Sequence, residues 1–344
     1  MTEIPNDVHF VGSIALDNVD EVFREVGQAC GRRLRRVPDG EPGGRRLWIS
    51  WQWPVLRAHA ALREVVPPPR EGGLAVLEVV PGTDPATIEF GELGYAREAR
   101  ISYQDFRAAR ERGWLPEGVK FQVSLPTPFA IISTFLDNES AQVVLPAYSR
   151  AMFAEVKRIA DAIPHEDLAL QWDVCIEMII WDGQPSIVPA FPGAREIVTA
   201  TLKSCLKAVP SDIELGVHLC YGDYDARHFI EPVDAGAEVE LANTILDLAG
   251  RPLAWIHMPV PVARTDDAFY APLADLELQP QTRLYLGLIH ADGKDRERIA
   301  AAHKVVPEFG VATECGIARQ RTPDQVRQLI RAHAMVTAEP ATTT

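Results

Sequence analysis

The feature that most constrains this chain is a rhythm. Eight short β-branched or aliphatic runs recur along it with amphipathic segments between them, and that alternation predicts a parallel sheet joined by crossover helices. The runs are VHFVGSI (8–14), LRRVPDG (34–40), KFQVSLP (120–126), LALQWDV (168–174), IELGVHLC (213–220), LAWIHMPV (253–260), RLYLGLIH (283–290) and GVATECGI (310–317). Eight parallel strands close on themselves, so the expected fold class is α/β, a (β/α)8 TIM barrel. YSRAMFAEVKRIADAI, AREIVTATLKSCLKAV and VELANTILDLAG carry apolar residues at three- and four-residue spacing and read as outer helices. TPDQVRQLIRAHAMV predicts a last helix, with Thr322 as its cap and Pro323 in its first position.

A length of 344 residues accommodates one such barrel with an insertion. The expected organisation is a single unit over 1–335 and an unstructured tail over 336–344. Residues 45–118 are expected to form an insertion after the second strand, lying over the barrel mouth. There, tryptophans, Pro67 to Pro69 and Gly72-Gly73 interrupt any clean strand–helix unit. Subtracting 48 acidic from 34 basic residues leaves a net charge of −14, which repels phosphate backbones and anionic lipid. The expected partner is therefore a small molecule, a thiol or an amino acid, with no nucleic acid and no membrane; self-association into a homo-oligomer stays open. No leader pattern and no run of about 18 apolar residues occurs, so a cytoplasmic location is expected. Five cysteines, odd in number and scattered, read in a reducing compartment as free thiols or metal ligands.

In a parallel barrel the chemistry sits at the C-terminal ends of the strands. Those ends supply Ser13, Asp39 with Glu41, Thr127, Asp173, His218 with Cys220, His257, His290 and Cys315. His218 and Cys220 stand two apart on one strand and so share a face, and Cys315 ends the eighth run. One imidazole and two thiolates make a zinc set. A lone His-x-Cys carries little weight, because a buried cysteine usually serves as a small hydrophobe. The third candidate at another strand end, and His257 on the strand between, give the pattern its force. His257 equally suits a bonded rim histidine, and His290 a cap. Glu41 sits among Gly40, Gly43 and Gly44, whose backbone freedom projects a carboxylate over the mouth. Asp173 ends an otherwise apolar strand and needs a partner. Cys175, on the same face as Asp173, has nothing else to mark it as a ligand, and Cys30 and Cys205 read as packing residues. No dinucleotide-binding, P-loop, serine-hydrolase or zincin motif is present.

In order along the chain, these segments resemble the catalytic barrel of cobalamin-independent methionine synthase, over all but the insertion and the tail. Phe10-Val11-Gly12-Ser13 resembles that family's opening Gly-Ser turn, and Asp39-Gly40-Glu41-Pro42 its Gly-Glu-Pro. Leu125-Pro126-Thr127-Pro128 is similar to its third-strand segment, and Gln171-Trp172-Asp173 to its Gln-Ile-Asp. His218-Leu219-Cys220-Tyr221 resembles the zinc-binding His-Met-Cys-Tyr, Ile289-His290 its seventh-strand Ile-His, and Glu314-Cys315-Gly316-Ile317 its Asp-Cys-Gly-Leu. The resemblance implies a Zn2+ cofactor, with Glu41 and Asp173 holding a substrate ammonium group, Ser13 and Thr127 contacting substrate, and His290 moving a proton. His257 stands where the family has its zinc-binding glutamate, so the implied ligand set is His218, Cys220, His257 and Cys315. Two neutral imidazoles and two thiolates make a neutral centre, less electron-rich than the family's.

The function expected is therefore a zinc-dependent methyl or alkyl transferase that activates a small, homocysteine-like thiol. A neutral centre also leaves room for a zinc-dependent lyase or hydrolase, and an epoxide:thiol transferase is a close variant. From another class, a metal-free barrel resembling uroporphyrinogen decarboxylase, or a binding protein, is the remaining alternative.

Overall fold

LALQWDV is buried along its whole length, as a strand covered on both faces must be. The computed structural model describes residues 5, 7–65, 76–186, 193–223 and 227–337. Its strands are β1 (Arg36–Pro38), β2 (Leu62–Glu64), β3 (Leu77–Val79), β4 (Lys120–Pro126), β5 (Leu168–Val174), β6 (Glu214–Leu219), β7 (Trp255–Pro259), β8 (Arg283–Gly287) and β9 (Gly310–Val311). Among the described residues, seven of these form one parallel sheet in the order β1-β4-β5-β6-β7-β8-β9, while β2 and β3 form a separate antiparallel pair.

The closed eight-stranded barrel expected from the run count is thus corrected to a curled seven-stranded sheet. The first run forms isolated bridges only: Val8 to both Leu34 and Val311, Ser13 to Gly40, and Ile14 to Ile317. The Val8 N–H donates to Arg33 O at 3.0 Å and the His9 N–H to Val311 O at 2.9 Å, so this segment touches both edges of the sheet. The chain bends at Gly12, which prevents the run from continuing as one ladder. The eighth run is likewise a strand only over Gly310–Val311, and 312–317 is mostly loop.

The outer helices include Asn138–Ala162, Ala194–Ala208, Gly236–Ala249 and Pro323–Val336. Thr322 caps the last through a reciprocal capping box with Gln325, a device worth about 1 kcal/mol. Within 45–118, the helix Tyr95–Glu111 packs on Val19–Cys30 and on Asn138–Ala162, the place of an ordinary crossover helix between β1 and β4. What is additional to a plain βα unit is the run of short helical turns over 43–57 and the β2–β3 hairpin. Pro67 to Pro69, Gly72-Gly73 and the tail from 338 lie outside the described residues. No described helix is long and apolar enough to cross a membrane.

Inside the sheet the packing is tight enough to dictate residue type. Gly216 on β6 faces the Trp255 indole, which fills the space a Cβ would take. That indole donates to Gln171 Oε1 at 3.2 Å and carries the Arg36 guanidinium 3.9 Å from its ring centroid.

Candidate metal centre

The parallel register pairs His218 on β6 directly with His257 on β7, and residues paired this way present their side chains to one face. Burial keeps both imidazoles neutral; it takes His257 down to about 3 and His218 well below its ordinary value. A backbone carbonyl only accepts, so Thr313 O, 3.0 Å from His257 Nε2, fixes a proton on that nitrogen. His257 Nδ1 is then an acceptor, and His218 Nδ1, 2.7 Å away, donates to it. The lone pair of His218 is left on Nε2, which is buried and has no hydrogen-bond partner.

His218, Cys220 and Cys315 bring one ligand atom each to within 4.8 Å of one another. Cys220 lies one residue past β6, tied down by its N–H donating to Val174 O at 3.0 Å, and Cys315 lies in the loop after β9. Their sulfurs are 3.4 Å apart and the thiols are free. Two sulfurs on one tetrahedral zinc stand about 3.8 Å apart, given Zn–S bonds of about 2.3 Å. A pair of soft donors at nearly that spacing, beside a bare imidazole nitrogen, fits a zinc ion. Cys220 is pushed well up by its hydrogen bond with Cys175, and Cys315 by its contact with Cys220, with burial adding to both. A divalent cation reverses such shifts.

His257, expected as the fourth ligand, is not in this group. It sits in the middle of β7, below the mouth, with both ring nitrogens engaged. Three ligands from the protein would leave a fourth tetrahedral position open, as in catalytic rather than structural zinc sites.

A cavity of about 130 Å³ opens on this cluster, lined also by Ser13, Glu41, Trp48, Asp173, Cys175 and Arg319. Glu41 is held at φ +52, a left-handed conformation costing a non-glycine residue about 1–2 kcal/mol. Its N–H donates to Asp39 Oδ1 at 2.9 Å, and Asp39 Oδ2 is fixed by Arg45 at 2.7 Å and the Ser102 hydroxyl at 2.6 Å. Burial, reinforced by Asp173, raises Glu41 to about 8. Asp173 rises to about 7, again through burial, even though the Gln171 amide (2.8 Å) and the Trp48 indole N–H (3.2 Å) donate to it.

Besides His257, two expected site residues do not line this cavity. The Thr127 hydroxyl caps the helix Pro128–Phe135 by accepting from the Ala130 N–H, and it also bonds the buried Glu177 carboxyl. His290 Nε2 donates to Val260 O at 2.9 Å, while its Nδ1 faces Glu314, 3.8 Å away, as part of a group with His228. Burial lowers His290 to about 3. Four lining or supporting residues had no ligand or substrate role in the sequence reading: Trp48, Arg319, Thr313 through its carbonyl, and Cys175. Only Cys175, on the Asp173 face, had a signal that could have drawn notice.

No family model matches the chain, and no curated protein matches it. Solved structures do match in fold. A protein from Listeria monocytogenes assigned as a vitamin-B12 independent methionine synthase aligns with TM-score 0.61 at 13% identity, covering 98% of each chain. A B12-independent methionine synthase from a Shewanella species, solved with selenomethionine, aligns with TM-score 0.56 at 14% identity over 97% of each chain. A methyltransferase from Methanosarcina mazei aligns with TM-score 0.51 at 11% identity, over 98% of this chain and 95% of its own. At these identities the likeness is one of fold.

Proposed function

We propose that the protein is a zinc-dependent methyl or alkyl transferase acting on a small thiol. The observation that carries this reading is the bare, buried Nε2 of His218 beside the two thiols Cys220 and Cys315 at the floor of a cavity. His218, Cys220 and Cys315 would hold the ion, and His257 would hold His218. A zinc ion held there would lower the pKa of a thiol brought to it, favouring the thiolate near neutral pH.

In the reaction the thiol's proton passes to solvent and its sulfur forms a bond to the alkyl carbon, while the carbon's bond to the donor breaks and its electron pair leaves with the donor. Glu41 and Asp173 are buried carboxyls on one cavity, both held up by that burial, and a cation is the ligand that ionises both. We assign them to a substrate ammonium group, with Ser13 positioning the substrate beside it. The fold shared with methionine synthases and a methyltransferase agrees with this reading, and the grouping of His218, Cys220 and Cys315 favours it over a metal-free decarboxylase-like barrel or a binding protein.

Elemental analysis and zinc K-edge absorption test it. About one zinc per chain, with two sulfurs and one protein nitrogen, is expected, together with zinc-dependent alkylation of an added thiol. A purified protein without stoichiometric zinc, or thiol alkylation that survives full chelation, overturns it.

A further inference from the structure

The ionisable groups on the cavity wall besides the thiols are Glu41, Asp173, His218, Asp223 and Arg319. Asp223 is answered by Arg321 at 3.4 Å. Arg319 is partly buried, yet among the described residues its guanidinium has no hydrogen bond or ion pair. Its side chain lines the same cavity wall as Glu41, Asp173 and the two thiols, and its charge favours the ionised forms of Glu41 and Asp223. The next residue, Gln320, is held at φ +51, a left-handed turn in a non-glycine residue of the kind found at ligand clamps. A guanidinium has five donors in a planar fork that matches a carboxylate or a sulfonate, and none of the Arg319 nitrogens is among the buried atoms left without a partner, so its donors are open to a ligand entering the cavity.

We propose that Arg319 selects the substrate by pairing with an anionic group, a carboxylate or a sulfonate, carried on the thiol. The proposal rests on the thiol-transferase reading for the identity of the ligand, but not for the presence of the anion site. The geometry gives the cavity two poles: carboxyls that take a cation and one guanidinium that takes an anion. The bound thiol lies against both.

Calorimetric titration of the zinc-loaded protein with homocysteine, its decarboxylated amine, mercaptopropionate and mercaptoethanesulfonate tests this. The wild type is expected to bind homocysteine about tenfold or more tightly than the amine. Arg319→Gln should erase that preference while binding the amine as the wild type does, which also shows an intact cavity; Arg319→Lys should keep part of it. The two amine-free thiols decide between carboxylate and sulfonate. A wild type without preference for the anion, or an Arg319→Gln protein that keeps the preference, overturns the proposal. Zinc-dependent thiol binding that ignores Arg319 removes this inference alone. Arg319-dependent binding that is unaffected by chelating zinc removes the transferase reading and leaves the anion site standing.

Discussion

Replacing His257 by alanine separates a ligand from a residue that orients one. The imidazole makes two buried hydrogen bonds, to His218 Nδ1 at 2.7 Å and to Thr313 O at 3.0 Å. The first sets the tautomer that leaves His218 Nε2 free for metal, and the second sets the tautomer of His257 itself. Loss of such an outer partner typically costs about 10- to 100-fold in metal affinity, which is about 1.4–2.7 kcal/mol. Leaving the Thr313 carbonyl unpaired adds about 1–3 kcal/mol of lost stability. Competition for zinc against a chromophoric chelator measures the first quantity and urea denaturation of the metal-free protein the second. The zinc K-edge should report the same protein nitrogen count before and after the substitution. His257→Gln, whose amide can donate to Thr313 O and accept from His218, should recover most of the affinity. A drop of one nitrogen in His257→Ala, or an affinity unchanged by the substitution, would refute the relay.

Three further outcomes are expected. Cys220→Ser or Cys315→Ser should bring zinc from about one equivalent to near zero with the fold retained by circular dichroism, because two donors do not hold the ion; bound zinc in either variant contradicts the ligand set. Glu41 and Asp173 stand at about 8 and about 7, both raised. Each therefore contributes stability that is complete below about pH 4 and is lost as pH rises through those values. The melting temperature of metal-free Glu41→Gln should accordingly gain on that of the wild type between about pH 5 and about pH 8, and a difference independent of pH would count against the buried carboxyl. A Cβ at Gly316 would overlap Ser13 Oγ, so Gly316→Ala should lose about 1–3 kcal/mol in urea denaturation; an unmoved midpoint would show that the two loops are not packed as described.

The chain alone specified the alternation of strands and helices. A strand buried on both faces, such as Leu168–Val174, must be apolar throughout, and a helix on the outside must carry an apolar stripe. It also specified His218, Cys220 and Cys315 as a group, since soft donors at strand ends are chemically conspicuous wherever they fall. Where those strands stop was not legible. The first run ends as isolated bridges because of a bend at Gly12, and the eighth gives up its ladder after Val311, which frees Cys315 to come within 3.4 Å of Cys220. The place of His257 was not legible either. Its type invites a ligand reading, but whether an imidazole meets a metal depends on where its two nitrogens point, and that is set by register with His218 and by the carbonyl of Thr313, 56 residues away. Trp48 and Arg319 carry no motif at all. They reach the cavity only because loops distant in sequence converge over the sheet, a consequence of packing that local periodicity cannot encode.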